Sequence, residues 1–473
     1  MTTTSGPADY VSRRDFLRTG LTIGGGVLSA GVLGAACGSS SAGKNAPKAT
    51  TSLSFWVISP FTTVTNPAIV KAVSQFEKTT PSISINLESV PADAMLDKLL
   101  TAVKAGQGPD VVSSDSAWIA ELAAAKAFSD VTTEFAPIKS EFFPGTVDGV
   151  TYNGKQYAVP WYTNNVALFW NKKTFKAAGI SGPPTTWDDL VTVGEQLTKN
   201  GNYGFMMGSD GNGSYLWLPF LWQAGGELFT SNGKAAAFNS AAGQAAWEYY
   251  ASLPLMHHIV PPSYLGAGLT WEQYYTPFLQ EQAAMMTQGD WAITPLQQGN
   301  PGLEFGIAPL PVGKERATVL GGYTLGIPTT SKNREAAWKF IQWLTAAGQE
   351  WILESYQRVP TRVDVEHSAL AKNPLETAFL EQAPYGRAQP NIPAWDNIIC
   401  NAMSNGWDAT IHGASSVLGG LDIAVKQTNK YLQDPTNFSL SMAEIWDAGV
   451  WDAPGWTGSV SSKKHTTSTQ AGW

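Results

Sequence analysis

Leu53-Ser54-Phe55-Trp56-Val57 puts Leu53, Phe55 and Val57 on alternate positions, the pattern of a β-strand, and the period changes four times more before Val112. Asn66-Pro67 offers an N-cap and a first-turn proline, after which Ile69, Val70, Val73 and Phe76 fall at helical spacing. Pro81 stops that helix, and Ile83, Ile85 and Leu87 alternate again. Met95, Leu96, Leu99, Leu100 and Val103 form a second amphipathic stripe, closed by Gly106-Gln107-Gly108-Pro109, and Asp110-Val111-Val112 begins a third strand. Such a succession predicts an α/β fold with a mostly parallel sheet covered by helices, whose ligand sites lie beyond the carboxyl ends of the strands. The loops after Val57 and Val112 are therefore candidate binding loops.

Further along, Asp188-Asp189 opens a helix through Leu190, Val193 and Leu197, and Ser331 opens another through Ala337, Phe340, Ile341 and Leu344. No internal repeat stands out, and residues 459–473 read as a polar tail. Upstream, Ser12-Arg13-Arg14-Asp15-Phe16-Leu17-Arg18 precedes a weakly apolar run that ends at Leu33-Gly34-Ala35-Ala36-Cys37. The first motif resembles a twin-arginine export signal, and the small residues before Cys37 resemble a lipobox, although Gly34 stands where that pattern usually has Leu. The stretch from Thr19 to Ala36 contains six glycines, too many for a stable membrane span. Residues 1–36 thus read as a signal peptide, and Cys37 as a lipidated first residue of the mature chain. Two acyl chains there would give stable anchoring. Residues 37–51 read as a flexible leash of small and polar residues.

Removal of residues 1–36 moves the formal net charge from −8 to about −9, which argues against nucleic acid and against docking on an anionic membrane surface. With Cys37 lipidated, Cys400 has no partner for a disulfide within the chain. The remaining ~437 residues exceed what one core usually holds and predict two domains.

Gly154-Lys155-Gln156-Tyr157-Ala158-Val159-Pro160-Trp161, Ala167-Leu168-Phe169-Trp170-Asn171-Lys172, Ala178-Gly179 and Pro183-Pro184-Thr185-Thr186-Trp187 follow one another in an order and spacing that resemble the extracellular solute-binding proteins of carbohydrate ABC importers. Gly108-Pro109-Asp110-Val111-Val112, Gly225-Gly226-Glu227, Gly289-Asp290-Trp291-Ala292, Gly321-Gly322-Tyr323 and Pro360-Thr361-Arg362 extend the similarity from about Leu53 to about Trp451. The resemblance implies a two-lobed periplasmic-binding-protein fold with discontinuous lobes, residues 52–162 with 324–362 and residues 163–323 with 363–458. Crossovers are expected near Pro160 to Asn164, Gly321 to Gly326 and Pro360 to Val363. It further implies a monomeric receptor, held at the outer face of the cytoplasmic membrane, that closes on a sugar and delivers it to membrane permease subunits, without catalysis and without a cofactor.

A pyranose presents hydroxyls that donate and accept, and C–H patches that stack on aromatic faces. On the resemblance, stacking rings are expected at Trp56, Trp161, Trp291 and Trp395, with Tyr215 and Trp217 in an aromatic loop before Gly225. A given Trp is otherwise most simply core. Polar candidates are Asp115, whose alternative role is a helix N-cap, and Asn164 and Asn165, whose alternative is a turn. Asp290 is either a ligand contact or a turn residue, and Arg362 either reaches the sugar or pins the hinge. Gly322 beside Tyr323 would let backbone approach the ligand, or simply serve the hinge.

Enzymatic motifs fail. Gly149 to Lys155 imitates a phosphate loop, but Gln156 replaces the required Ser or Thr and the context reads as a hairpin. There is no Gly-x-Ser-x-Gly elbow, and the adjacent His257 and His258 point apart on any regular element, against a shared metal. The rival readings are a secreted glycoside hydrolase, which needs two facing carboxylates, and a same-fold receptor for a non-sugar solute such as glycerol phosphate, which needs clustered cations.

Overall fold

The structure is a computed structural model that describes residues 51–59, 67–266, 269–349, 359–364 and 373–433. The signal, residues 37–50 of the leash with Cys37, the Asn66 cap and the tail lie outside these residues; Thr51, expected to end the leash, already pairs with Ile83 as a strand residue. No helix among the described residues is long and apolar enough to cross a membrane.

Strand β1 (Thr51–Ser59) pairs in parallel with β2 (Ile83–Pro91) and with β3 (Val111–Asp115). Leu53, Phe55, Trp56, Val57 and Ile58 are all buried, as expected of a strand covered on both faces. The helix Pro67–Thr79 buries Ala68, Ile69, Ala72, Val73 and Phe76, while Val70 points outward. Helix Arg334–Leu344 returns from far along the chain to complete this layer: Phe340 stands 5.2 Å from Phe55 and 4.8 Å from Phe76, ring centre to ring centre. Strands β4 (Thr151–Tyr152) and β5 (Lys155–Gln156) form a hairpin around Asn153-Gly154, both with positive φ, which accounts for the phosphate-loop imitation.

Beyond β3 the pairing is mostly antiparallel. Strand β6 (Ala158–Asn171) runs antiparallel to β7 (Met285–Gly289) and β8 (Phe305–Ala308) through residues 166–171, and antiparallel to β9 (Thr318–Gly326) through residues 158–165. Strand β9 in turn pairs antiparallel with β3 and parallel with β11 (Gly386–Ala388), and β10 (Val359–Pro360) pairs with residues 162 and 163 of β6. The sheet is thus mixed, because the two strands that travel between cores meet their neighbours head to tail.

Among the described residues there are two hydrophobic cores. One draws its buried residues from 53–162 and 325–344, the other from 166–319 and 379–425 with Ala117 added. Strand β6 gives Ala158, Val159, Trp161 and Tyr162 to the first and Val166 to Phe169 to the second; β9 gives Leu325 and Val319 respectively. The architecture is the two-lobed one, with β6 and β9 passing between the lobes.

The second core is aromatic. Trp247 stacks on Trp407 at 3.5 Å and 7°, with Trp217 edge-on to both. Trp217 and Tyr215 belong to the helix Gly211–Gln223 and not to a loop. Two early glycines and Pro219 weaken the helical signal there, but Asp210 caps the helix through the Gly213 N–H and burial of Leu216 to Gln223 holds it. The helix Trp187–Leu197 begins with a capping box between Thr186 and Asp189, one residue pair earlier than Asp188-Asp189 alone indicates.

Candidate functional site

Strand β3 ends at Asp115, where its carboxylate accepts the Ala117 N–H at 2.9 Å and turns the chain into the short helix Ser116–Trp118. Asp115 lies opposite Tyr323 of β9, and Tyr323 lies opposite Tyr162 of β6, the two rings 5.3 Å apart. Two residues on, Asn164 faces Gly321. A cavity opens over this crossing. Tyr215, Gly211 and Asn212 reach it from the start of the helix Gly211–Gln223, and Trp291 from the turn after β7. Gln389 and the segment Trp395 to Cys400 close the far wall.

The rings are held in place by local features. Gly289 leaves room for the Trp291 indole, which occupies the space a Cβ there would need. The Trp291 and Tyr215 rings lie 6.4 Å apart at 51°, and the Trp395 Nε1–H donates to Gln389 Oε1 at 2.9 Å. At Gly322, φ is +139°, and a Cβ would collide with the Tyr162 carbonyl oxygen and stand 2.8 Å from Thr163 Cα. Close approach of the two crossing backbones is what requires glycine at this position.

Carboxylates mark the site electrostatically. Burial, opposed by the Ala117 N–H and reinforced by Asp396, pushes Asp115 up to about 7. Asp396 is also raised, by burial and then by Asp97. Glu121, one turn behind, is pushed up to about 8 by burial and by the same two aspartates. Burial drives the Tyr215 hydroxyl well above its ordinary value, with Asp115 and Asp290 adding to it.

Of the residues expected at the site, Asp115, Asn164, Tyr215, Trp291, Gly322, Tyr323 and Trp395 line this one cavity. Others lie elsewhere. Trp161 is fully buried in the first core beside Phe55, and Trp217 in the second. Asn165 is buried with its amide donating to the Phe379 carbonyl and accepting from Gln382. Trp56 is buried with the Lys98 ammonium 4.0 Å above its ring. Asp290 is buried behind Tyr215, and Arg362 is tied to Glu141 and Asp364 at 2.6 and 2.7 Å. Arg362 therefore pins the segment after β10 and does not face the cavity.

Trp118, Tyr162, Gln389, Asp396 and Cys400 also line the cavity and were not singled out from sequence. Tyr162 was within reach, since it shares a strand face with Asn164. Asp396 and Cys400 are one helical turn apart after Trp395, so the choice of Trp395 pointed toward them. Gln389 carried no signal.

A family model described as bacterial extracellular solute-binding protein matches residues 62–351. The chain belongs to that family. As a solute-binding protein it is 26% identical over 367 residues to a binding protein of Brucella abortus, covering 74% of this chain and 86% of that one. It is 25% identical over 422 residues to a maltooligosaccharide ABC transporter solute-binding lipoprotein of Streptococcus pneumoniae, covering 83% and 94%. Its fold matches the crystal structure of an ABC transporter solute-binding protein from Thermotoga lettingae bound with α-D-tagatose, with a TM-score of 0.74, 27% identity and coverage of 81% and 100%.

Proposed function

We propose that the protein is a lipid-anchored extracytoplasmic receptor that holds a sugar, a di- or oligosaccharide, between two hinged lobes and delivers it to an ABC importer. The observation that carries this reading is the lining of the cavity. Six aromatic side chains, Trp118, Tyr162, Tyr215, Trp291, Tyr323 and Trp395, surround the hydrogen-bonding groups of Asp115, Asn164, Asn212 and Gln389 at the crossing of β6 and β9. That is the complement a pyranose asks for. Lobes of residues 52–162 with 324–362 and 163–323 with 363–458 would close about these strands, and closure draws its energy from contacts that form only when both sides touch the sugar. Relatives named as transporter components support delivery to permease subunits, and the Cys37 motif supports the anchor.

A phosphorylated solute is disfavoured, since the described residues lining the cavity include no Lys or Arg. Catalysis is not part of this reading; its relatives are binding proteins. The test is a panel of neutral mono- and oligosaccharides screened by melting temperature. A ligand at 100 times its dissociation constant stabilises by about 2.7 kcal/mol. A hit recovered uncleaved after long incubation supports the receptor; a cleaved hit overturns it in favour of a hydrolase.

A further inference from the structure

We infer that the solute bound in this cleft is a cationic saccharide, one carrying a free amino group on or beside a sugar ring. The inference rests on the sugar reading above and narrows it. Two carboxylates, Asp115 and Asp396, line the cavity, and no Lys, Arg or His is among the described residues that line it. Asp396 is fixed there, accepting hydrogen bonds from the Trp118 side chain and, weakly, from the Cys400 thiol at 3.8 Å. A third acceptor, independent of the acidic pair, is Asn164 Oδ1. It is nine-tenths buried, lies on the cavity wall within 2.6 Å of where a Gly321 Cβ would be, and has no hydrogen-bond partner.

An acceptor-rich wall calls for a ligand with surplus donors. A hydroxyl can satisfy one of these acceptors with its single hydrogen; an ammonium brings three hydrogens, no lone pair and the opposite charge. Closing the lobes over a neutral sugar would leave any charge on these two carboxylates without a partner, a cost that an ammonium beside them removes. The surrounding aromatic faces favour the same charge, since a cation over a Trp or Tyr ring is attracted by its quadrupole. The upward displacement of both carboxyl groups agrees with a site that lacks its counter-charge when empty.

The test uses the full chain and matched α- and β-linked disaccharides of glucose in three forms: hydroxyl at C2, free amine at C2, and N-acetylated amine. Affinities are measured by calorimetry at pH 7, with melting temperature as a check. The free-amine form is expected to bind at least about tenfold tighter than either partner, the scale of a charge-assisted hydrogen bond. Asp396→Asn is expected to remove most of that preference, with the unliganded melting curve confirming that the variant folds. Equal or tighter binding of the neutral forms overturns the charge inference and leaves the sugar receptor standing. Silence from all three forms overturns both. A preference unchanged in Asp396→Asn overturns the assignment to this wall.

Discussion

Asn164 on β6 sits directly opposite Gly321 on β9, so close that a Cβ on Gly321 would stand 2.6 Å from Asn164 Oδ1 and 2.9 Å from the Tyr215 hydroxyl. Those neighbours are the ends of side chains, whereas the neighbours of Gly322 are backbone atoms of Tyr162 and Thr163. The two adjacent glycines should therefore fail in different ways. Gly321→Ala should fold with a melting temperature near the wild type and bind sugar at least tenfold more weakly, by intruding on the cavity. Gly322→Ala should lose about 1–3 kcal/mol of stability, from its backbone conformation and the collision with β6. Melting curves and titrations of both variants check this; equal losses in both properties for the pair would contradict it.

Trp291 and Trp247 give a second contrast. Trp291 lines the cavity, and Trp291→Ala should weaken sugar binding by roughly 1–3 kcal/mol while the protein stays folded. Trp247 is stacked on Trp407 in the second core, and Trp247→Ala should cost about 3–5 kcal/mol of stability. Normal titration of the first variant would remove Trp291 from the binding surface.

Asp115 makes stability depend on pH. Its carboxyl is raised from 3.8 to about 7, so the folded chain holds this proton where the unfolded chain has released it. The stability it contributes is complete below pH ~4 and is lost as pH rises through 7. Asp115→Asn, always neutral and still able to accept the Ala117 N–H, should be more stable than wild type at pH 8 by on the order of 1–2 kcal/mol, with the advantage vanishing near pH 4. Melting temperatures of the two proteins across pH 4–8 decide the point, and an advantage independent of pH would exclude this cause.

Cys400 offers a reporter of occupancy. Its side chain opens on the cavity, while surrounding protein and Asp396 push its thiol well above the ordinary value. Alkylation should be slow at pH 7, faster toward pH 9, and blocked by bound sugar. Mass spectrometry of the labelled protein follows this directly; ligand that leaves the rate unchanged would place its binding elsewhere.

The strands and helices up to Val112 are legible because their apolar residues keep a strict period, and Asp115 follows from its place at a strand end. Trp161 shows where such reading stops. It is as aromatic and as close to the crossover as Tyr162, yet side chains alternate along β6, so Tyr162 and Asn164 face the cavity while Trp161 and Asn165 face protein. Which face is which depends on the partner strands, and β9 is more than 150 residues away. Asp396 and Cys400 lay near a residue that was chosen, Trp395, but the meeting of their segment with the short helix Ser116–Trp118 is a tertiary fact with no local periodicity. Val70 carries the apolar pattern of its helix but is half exposed, while Ala72 is fully buried.

Phe340, which closes the first core against Phe55 and Phe76, comes 264 residues after Phe76 in the chain. At ~5–20 residues per second, the ribosome takes on the order of tens of seconds to supply it. Through that interval residues 166–319 of the second core emerge while the first remains open along one side, and the second still awaits residues 379–425, Trp407 among them. Neither lobe can therefore close until most of the chain has been made, and a nascent chain interrupted before Phe340 would display two incomplete lobes, the first lacking Phe340 and the second lacking the Trp407 face on which Trp247 stacks.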